Sequence, residues 1–105
     1  MLDFSRSAET QPLLIVDDDE PFRNRLARAM EKRGFAVTTA ASVSEGCDVA
    51  RRDKPTYAVL DLRLEDGSGL EIVKELQGSQ PEARIIVLTG YGNIATTVAA
   101  VKAGA

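Results

Sequence analysis

The stretch that decides the fold is Leu13-Leu14-Ile15-Val16-Asp17-Asp18-Asp19, a short apolar run that ends in three carboxylates. A second run, Tyr57-Ala58-Val59-Leu60, ends in the same way at Asp61. Short apolar runs bounded by turn-forming residues are typical of buried strands. In an open α/β sheet, ligands bind outside the carboxyl ends of the strands. The two runs therefore predict aspartates gathered at one edge of a parallel sheet.

Four apolar runs predict strands, and helical patterns follow each of them. The predicted strands cover residues 13–16, 35–39, 57–60 and 84–89, and a last helix covers about residues 93–103. Ser42 with Glu45, and Ser68 with Glu71, have the spacing of capping boxes at helix starts. Three apolar helix faces are predicted: Phe22, Leu26, Ala29 and Met30; Val43, Cys47 and Ala50; and Leu70, Val73 and Leu76. The alternation predicts an α/β fold, a doubly wound parallel sheet.

Composition bounds the class of protein. The chain has 105 residues and a formal net charge of −3, which suits one small domain without the basic excess of a nucleic-acid surface. It has no histidine, which excludes histidine-based zinc sites and Ser-His-Asp catalysis within it. Its one cysteine, Cys47, favours a buried structural role. No apolar stretch suits a membrane span or a secretory signal, so we expect a cytoplasmic location and no membrane partner.

The aspartates predict a metal site. Carboxylates that converge repel one another unless a cation lies among them, and Mg²⁺ prefers one or two carboxylates with water and phosphate oxygens. Asp17, Asp18 and Asp61 are the candidate ligands, while Asp19 is expected to cap a helix. One carboxylate could also form an aspartyl phosphate. Thr89, at the end of the fourth predicted strand, is placed to donate a hydrogen bond to a phosphoryl oxygen. The alternative is that these aspartates only cap a helix and start a turn.

These motifs together resemble the receiver domain of two-component response regulators, from about Leu13 to Ala105. The segment at residues 15–19 resembles the family's acidic pair, and residues 59–64 resemble its phosphoacceptor strand and loop. Gly69 matches the downstream glycine, and residues 87–90 resemble the switch hydroxyl with its small neighbour. The resemblance implies a flavodoxin-like receiver with strand order 2-1-3-4-5.

The resemblance also implies roles for individual residues. Asp61 would accept a phosphoryl group from the phosphohistidine of a sensor histidine kinase. Asp18, Asp61 and the backbone carbonyl of Arg63 would bind Mg²⁺, and Asp17 would support the metal through water. Thr89 would contact the phosphoryl group and reorient on activation. Such a domain is not an enzyme, although it assists its own phosphorylation and dephosphorylation, and it is expected to form a homodimer when activated.

Residues 25–35, 61–70 and 88–96 look most like the redox-responsive regulators of the RegA/PrrA/ActR type. Those proteins join the receiver to a C-terminal helix-turn-helix that binds DNA, and no such segment occurs in this sequence. We therefore expect residues 1–11 to be a flexible leader and residues 12–105 to be a receiver truncated before its fifth strand. The family's phosphate-binding lysine would lie in that missing part, and DNA would be bound only through the absent output domain.

Two other functions share the same residues. A Mg²⁺-dependent phosphohydrolase would use Asp61 as its nucleophile, but Arg63 occupies the place where such enzymes carry a second acid. A dimerisation module that does not depend on phosphorylation would show no response to Mg²⁺. Rapid turnover of a phosphomonoester would indicate the first, and an absent metal response would indicate the second.

Overall fold

The computed structural model describes residues 11–88. They form a four-stranded parallel sheet, a short antiparallel hairpin and three helices. None of these helices is long and apolar enough to cross a bilayer. In chain order the elements are β1 (Gln11–Val16), α1 (Glu20–Lys32), β2 (Phe35–Ala40), α2 (Val43–Asp53), β3 (Tyr57–Asp61), β4 (Arg63–Leu64), β5 (Gly67–Ser68), α3 (Leu70–Ser79) and β6 (Arg84–Leu88).

The main sheet has the order β2-β1-β3-β6, and every neighbouring pair is parallel. This confirms the predicted α/β fold and the order of its first four strands, because β6 is the fourth predicted strand. The hairpin of β4 and β5 was not predicted. The predicted helix at about residues 93–103 and the strand end at Thr89 lie outside the described residues.

Strand β1 begins at Gln11, two residues earlier than predicted. Gln11 pairs with Phe35, so this residue belongs to the sheet and not to the leader. Pro12 is tolerated because it stands near the start of the strand, and its carbonyl still accepts a hydrogen bond of 3.2 Å from the Thr56 amide. Residues 1–10 of the predicted leader lie outside the described part of the chain.

The hydrophobic core lies between one face of the sheet and helices α2 and α3. Gly46 of α2 allows the closest approach, since a Cβ atom there would lie 2.6 Å from Ile72 Cδ1. The buried members of this core are Leu14, Val16, Ala40, Val43, Val49, Ala50, Ala58, Leu60, Leu64, Ile72, Val73, Leu76, Ala83, Ile85 and Val87.

Helix α1 covers the β1 and β2 half of the opposite face. No residue of α1 is fully buried, and Ala29 is exposed, contrary to its predicted place on the apolar face. An apolar cavity of about 300 Å³ lies beside Met30 over the β3 and β6 half of the sheet. Ile86 of β6 is 43% exposed there. Among residues 11–88, this face is therefore less completely covered than the face that carries the core.

The two predicted capping boxes have different outcomes. In α2, Ser42 Oγ accepts a hydrogen bond of 3.1 Å from the Glu45 amide, as predicted, while Glu45 Oε1 accepts from the Ala41 amide at 2.9 Å, one residue before the cap. In α3, the N-cap is Gly69, which offers no side-chain bond, and the second capping box is therefore wrong. The hairpin holds Ser68 in β5, where its Oγ accepts a bond of 3.1 Å from the Leu70 amide instead.

The face of helix α3 that packs against the core differs from the predicted one. Leu70 was predicted to be buried but is 46% exposed, whereas Ile72, Val73 and Leu76 are buried. Residues four positions apart share a helix face, which places Ile72 with Leu76. The apolar face of α3 therefore begins two residues later than predicted.

Leu76→Ala should lower the free energy of unfolding by about 2–5 kcal/mol, because a fully buried leucine leaves a cavity when it is truncated. Leu70→Ala in the same helix is the matched control and should cost less than about 1 kcal/mol, since its side chain is half exposed. Urea denaturation of both variants measures the difference. Equal losses would contradict the assignment of the core.

Candidate functional site

The pairing of β1 with β3 brings the predicted aspartates together. Val16 lies opposite Leu60, so the next residues, Asp17 and Asp61, leave the two strands side by side. Asp17, Asp18 and Asp61 each present a carboxylate oxygen, and these atoms lie within 4.8 Å of one another. Three of the predicted site residues therefore meet at the carboxyl edge of the sheet.

The three carboxylates differ in exposure, and their surroundings shift the pKa of Asp17 and of Asp61. Asp17 is buried, Asp61 is partly buried and Asp18 is exposed. Burial raises the pKa of Asp17, and the charges of Asp61 and Asp18 raise it further. Burial also raises the pKa of Asp61, with a further contribution from Asp18. The cluster thus disfavours its own full ionisation, because neighbouring negative charges repel in a partly desolvated site.

Backbone amides orient the carboxylates that face one another. The Asp19 amide donates to Asp17 Oδ1 at 2.9 Å, and the Arg63 amide donates to Asp61 Oδ1 at 3.1 Å. Each bond favours the charged carboxylate and partly offsets the rise in its pKa. Asp19 itself caps α1 by accepting from the Phe22 amide at 3.1 Å, as predicted.

The donor set suits a hard divalent cation. Oxygens bound to one Mg²⁺ lie about 2.1 Å from it, and are therefore at most about 4 Å apart. The carboxylate oxygens of this cluster lie within 4.8 Å of one another, which is close enough for two of them to bind one ion directly and for the third to act through water. An ion of charge +2 would also remove the repulsion that raises the pKa of Asp17 and Asp61. The residues present therefore fit the predicted metal.

The loop after Asp61 packs tightly against the strand end. The Leu62 amide donates to the Leu88 carbonyl of β6 at 2.9 Å, and the Gly69 amide donates to the Leu62 carbonyl at 2.9 Å. A Cβ atom on Gly69 would overlap the Asp61 backbone carbonyl. Gly69 therefore permits the close approach that returns the hairpin to the site.

Sequence reasoning missed two residues that structure the site. Arg23 Nη1 of α1 donates to the Asp17 carbonyl at 2.8 Å. Asp66, in the turn of the hairpin, accepts hydrogen bonds from the start of α2. The Asp66-Gly67 pair signals a turn, but no local spacing indicates either contact. Thr89, the remaining predicted site residue, lies outside the described residues.

Asp17→Asn should stabilise the metal-free protein at pH 7. Well below pH 3.8 the Asp17 carboxyl is protonated in both states, and as the pH rises the unfolded state ionises first because the folded-state pKa is raised. Stability therefore falls with rising pH until the folded-state pKa is passed, and asparagine removes this loss. Urea denaturation in a chelator between pH 4 and pH 7.5 measures it.

The control for this measurement is Asp53→Asn. The hydrogen bond from Arg52 lowers the pKa of Asp53, so its neutralisation has the opposite sign. The side chain is on the surface, and the change should be within about 0.5 kcal/mol. A lower denaturation midpoint for Asp17→Asn at pH 7 would contradict the proposed repulsion.

Gly69→Ala should destabilise the protein by about 1–3 kcal/mol, because the added methyl group forces the backbone of the Asp61 loop to shift. Gly78→Ala in α3 is the control, since a Cβ atom there meets no atom within 4 Å. That change should be neutral or stabilising by up to about 1 kcal/mol, because alanine is the better helix former. Thermal denaturation of both variants tests the close packing, which equal stabilities would contradict.

Known proteins are similar to this chain in sequence. Residues 13–105 match the response regulator receiver domain. The photosynthetic apparatus regulatory protein RegA of Cereibacter sphaeroides is 64% identical over 93 residues, which are 89% of this chain and 50% of RegA. The acid tolerance regulatory protein ActR of Rhizobium meliloti is 61% identical over 93 residues, 89% of this chain and 48% of ActR. The chain thus spans about half the length of these relatives, and the predicted resemblance to their subgroup is confirmed.

Solved structures agree with the fold. A response regulator from Burkholderia pseudomallei, crystallised with a phosphorylated aspartic acid, a calcium ion and citrate, is 45% identical, with a TM-score of 0.76 over 90% of this chain and 56% of that chain. The beryllofluoride-activated NtrC4 receiver domain, a dimer in solution, is 28% identical, with a TM-score of 0.69 over 79% of this chain and 69% of that chain. The chain belongs to the response regulator receiver domain family, the signalling domains of two-component systems.

Proposed function

We propose that the domain accepts a phosphoryl group on Asp61 from the phosphohistidine of a sensor histidine kinase, in a Mg²⁺-dependent reaction. The observation that carries this proposal is the cluster of Asp17, Asp18 and Asp61, whose carboxylate oxygens lie within 4.8 Å of one another. The phosphorylated aspartic acid and calcium ion of the Burkholderia pseudomallei regulator support it.

The hydrogen bonds of the cluster support separate roles for its carboxylates. Asp18 is exposed, and we assign it with Asp61 and the Arg63 carbonyl as direct metal ligands. Asp17 is buried and its Oδ1 already accepts from the Asp19 amide, which favours support of the metal through water. When bound, the ion supplies positive charge that offsets the negative charge of the carboxylates and the phosphoryl oxygens.

The transfer uses Asp61 as the nucleophile. The Arg63 amide holds Oδ1 at 3.1 Å, which orients the carboxylate with Oδ2 as the attacking atom. A bond forms between this oxygen and phosphorus, while the bond between phosphorus and the histidine nitrogen breaks and its electron pair stays on the imidazole. Positioning and charge compensation supply most of the catalysis of such transfers. Hydrolysis of the acyl phosphate later restores the carboxylate.

We propose that the whole protein carries a C-terminal DNA-binding domain and regulates transcription. RegA and ActR, which are named regulatory proteins, are about twice as long as the matched region, and GlrR of Escherichia coli, 37% identical over 92 residues, is named a transcriptional regulatory protein. Phosphorylation is proposed to reorient Thr89 and to favour a homodimer, by analogy with the activated NtrC4 receiver dimer. Because a sensor kinase obtains its phosphoryl group from ATP, we place the exchange in the cytoplasm.

Incubation with acetyl phosphate and Mg²⁺ should add one phosphoryl group, labile in base as acyl phosphates are, and detectable by intact mass. Asp61→Asn should abolish the labelling, and a chelator should suppress it. Asp53→Asn, a surface aspartate bound to Arg52, is the control and should be labelled like the unsubstituted protein.

Full labelling of Asp61→Asn would exclude Asp61 as the acceptor. Rapid turnover of a phosphomonoester would favour the phosphohydrolase instead. No response to millimolar Mg²⁺, in labelling or in thermal stability, would favour a dimerisation module.

A further inference from the structure

Asp66 connects the hairpin after Asp61 to a helix that lies far from it in sequence. Its Oδ1 accepts from the Val43 amide at 2.8 Å, and its Oδ2 accepts from the Ser44 amide at 3.2 Å. Val43 and Ser44 are the first two residues of α2 and precede Asp66 by 23 and 22 positions. One carboxylate therefore binds two backbone amides that have no partner within the helix.

The contact is electrostatically favourable. The first amides of a helix carry partial positive charge, which attracts an anion. The bonds from the Val43 and Ser44 amides lower the pKa of Asp66, so this carboxyl is charged at neutral pH. Ser42 caps the next amide, that of Glu45, at 3.1 Å. Two residues thus cap the amides at the start of α2. Ser42 directly precedes the helix, whereas Asp66 belongs to the hairpin and so joins another segment to α2.

The two joined segments flank the acidic cluster on opposite sides. On one side, the Asp17 amide donates to the Ala40 carbonyl at 3.2 Å, and the chain then enters α2 through Ser42. On the other side, the hairpin pairs Arg63 with Ser68, and the Arg63 amide donates to Asp61 Oδ1. The bonds of Asp66 therefore link the start of α2, which follows the Ala40 carbonyl bonded to Asp17, to the hairpin that follows Asp61.

The hairpin also packs closely against α2 beside Asp66. Gly67, next to Asp66, has φ = 153°, and a Cβ atom there would lie 3.5 Å from Val43 Cγ2 and 3.2 Å from Glu71 Oε2. Leu64, which pairs with Gly67 in the hairpin, is 8% exposed and belongs to the core. Two residues thus fix the hairpin: Leu64 packs into the hydrophobic core, and Asp66 bonds to the start of α2.

We propose that Asp66 is a positioning residue for phosphoryl transfer: it holds the hairpin against α2, so that the Arg63 backbone stays aligned on Asp61. This inference rests on the proposed function for its chemical consequence, because Asp66 acts on the metal and the phosphoryl group only through the Arg63 segment. Residues that orient metal ligands from outside the coordination sphere typically change metal affinity by about 10–100-fold when they are substituted.

The test compares four variants of the full chain. Asp66→Ala removes both bonds, and Asp66→Asn keeps a carbonyl oxygen for one of them. Glu65→Ala removes the same charge from the neighbouring position of the turn. Ser42→Ala removes a cap from the same helix without touching the hairpin. The readouts are Mg²⁺ affinity by isothermal titration calorimetry and the exchange rate of the Arg63 amide in metal-free protein, measured by NMR.

Asp66→Ala should weaken Mg²⁺ binding about tenfold and accelerate exchange of the Arg63 amide, with Asp66→Asn intermediate. Glu65→Ala should change affinity less than about twofold, since Glu65 is exposed to solvent, where salt screens its charge. Ser42→Ala should leave both readouts unchanged. Wild-type affinity and exchange in Asp66→Ala would overturn the proposal, as would an equal effect of Ser42→Ala or Glu65→Ala.

The two proposals fail in different ways. If the unsubstituted protein binds no Mg²⁺, the proposed function is contradicted. The exchange rate of the Arg63 amide then tests the role of Asp66 independently, because that measurement needs no metal. Faster exchange in Asp66→Ala supports the link, and unchanged exchange overturns it.

Discussion

The parallel pairing of β3 with β1 is the constraint on which the site depends. Its register places Val16 opposite Leu60, and both side chains are fully buried. Because side chains alternate along a strand, a slip of one residue would move these apolar groups out of the core and separate Asp61 from Asp17. The hydrophobic effect therefore holds the register, and the register determines which carboxylates meet. Core packing therefore brings the carboxylates together, and the amides of Asp19 and Arg63 then orient those of Asp17 and Asp61.

Assembling the site has an electrostatic cost that local bonds only partly offset. Burial and repulsion raise the pKa of Asp17 and Asp61, while the Asp19 and Arg63 amides act in the opposite direction. A site that disfavours its own charge in this way is a natural receptor for a cation. The same repulsion bears on the proposed function. A phosphoryl group on Asp61 changes the negative charge at a position where neighbouring carboxylates already repel one another.

Hydrogen bonds connect the loop after Asp61 to other elements of the domain. Leu62 is bonded to Leu88 at the end of β6, and Gly69 is bonded back to Leu62. On the proposed function, a rearrangement at Asp61 therefore reaches the end of β6, where Thr89 follows in the chain, and the start of α3. Through Asp66 it also reaches the start of α2. These bonds tie the hairpin to β6, α3 and α2, and the proposed role of Asp66 makes the hairpin a support for the Arg63 backbone.

The strand order was implied only by the resemblance to receiver domains, whereas the sequence by itself determined the α/β class, its four long strands and the meeting of Asp17, Asp18 and Asp61. It could do so because apolar runs and the residues that end them are local signals, and parallel strands bring such ends to one edge. It misjudged Leu70 and Ser68, since the hairpin moved the start of α3. Only the tertiary structure decided the hairpin itself, the contact of Arg23 with Asp17 and the bonds of Asp66 to α2. The physical reason is that none of these contacts follows a periodic pattern. The bonds of Asp66 join residues 22 and 23 positions apart, and they exist only once the core has brought both segments together.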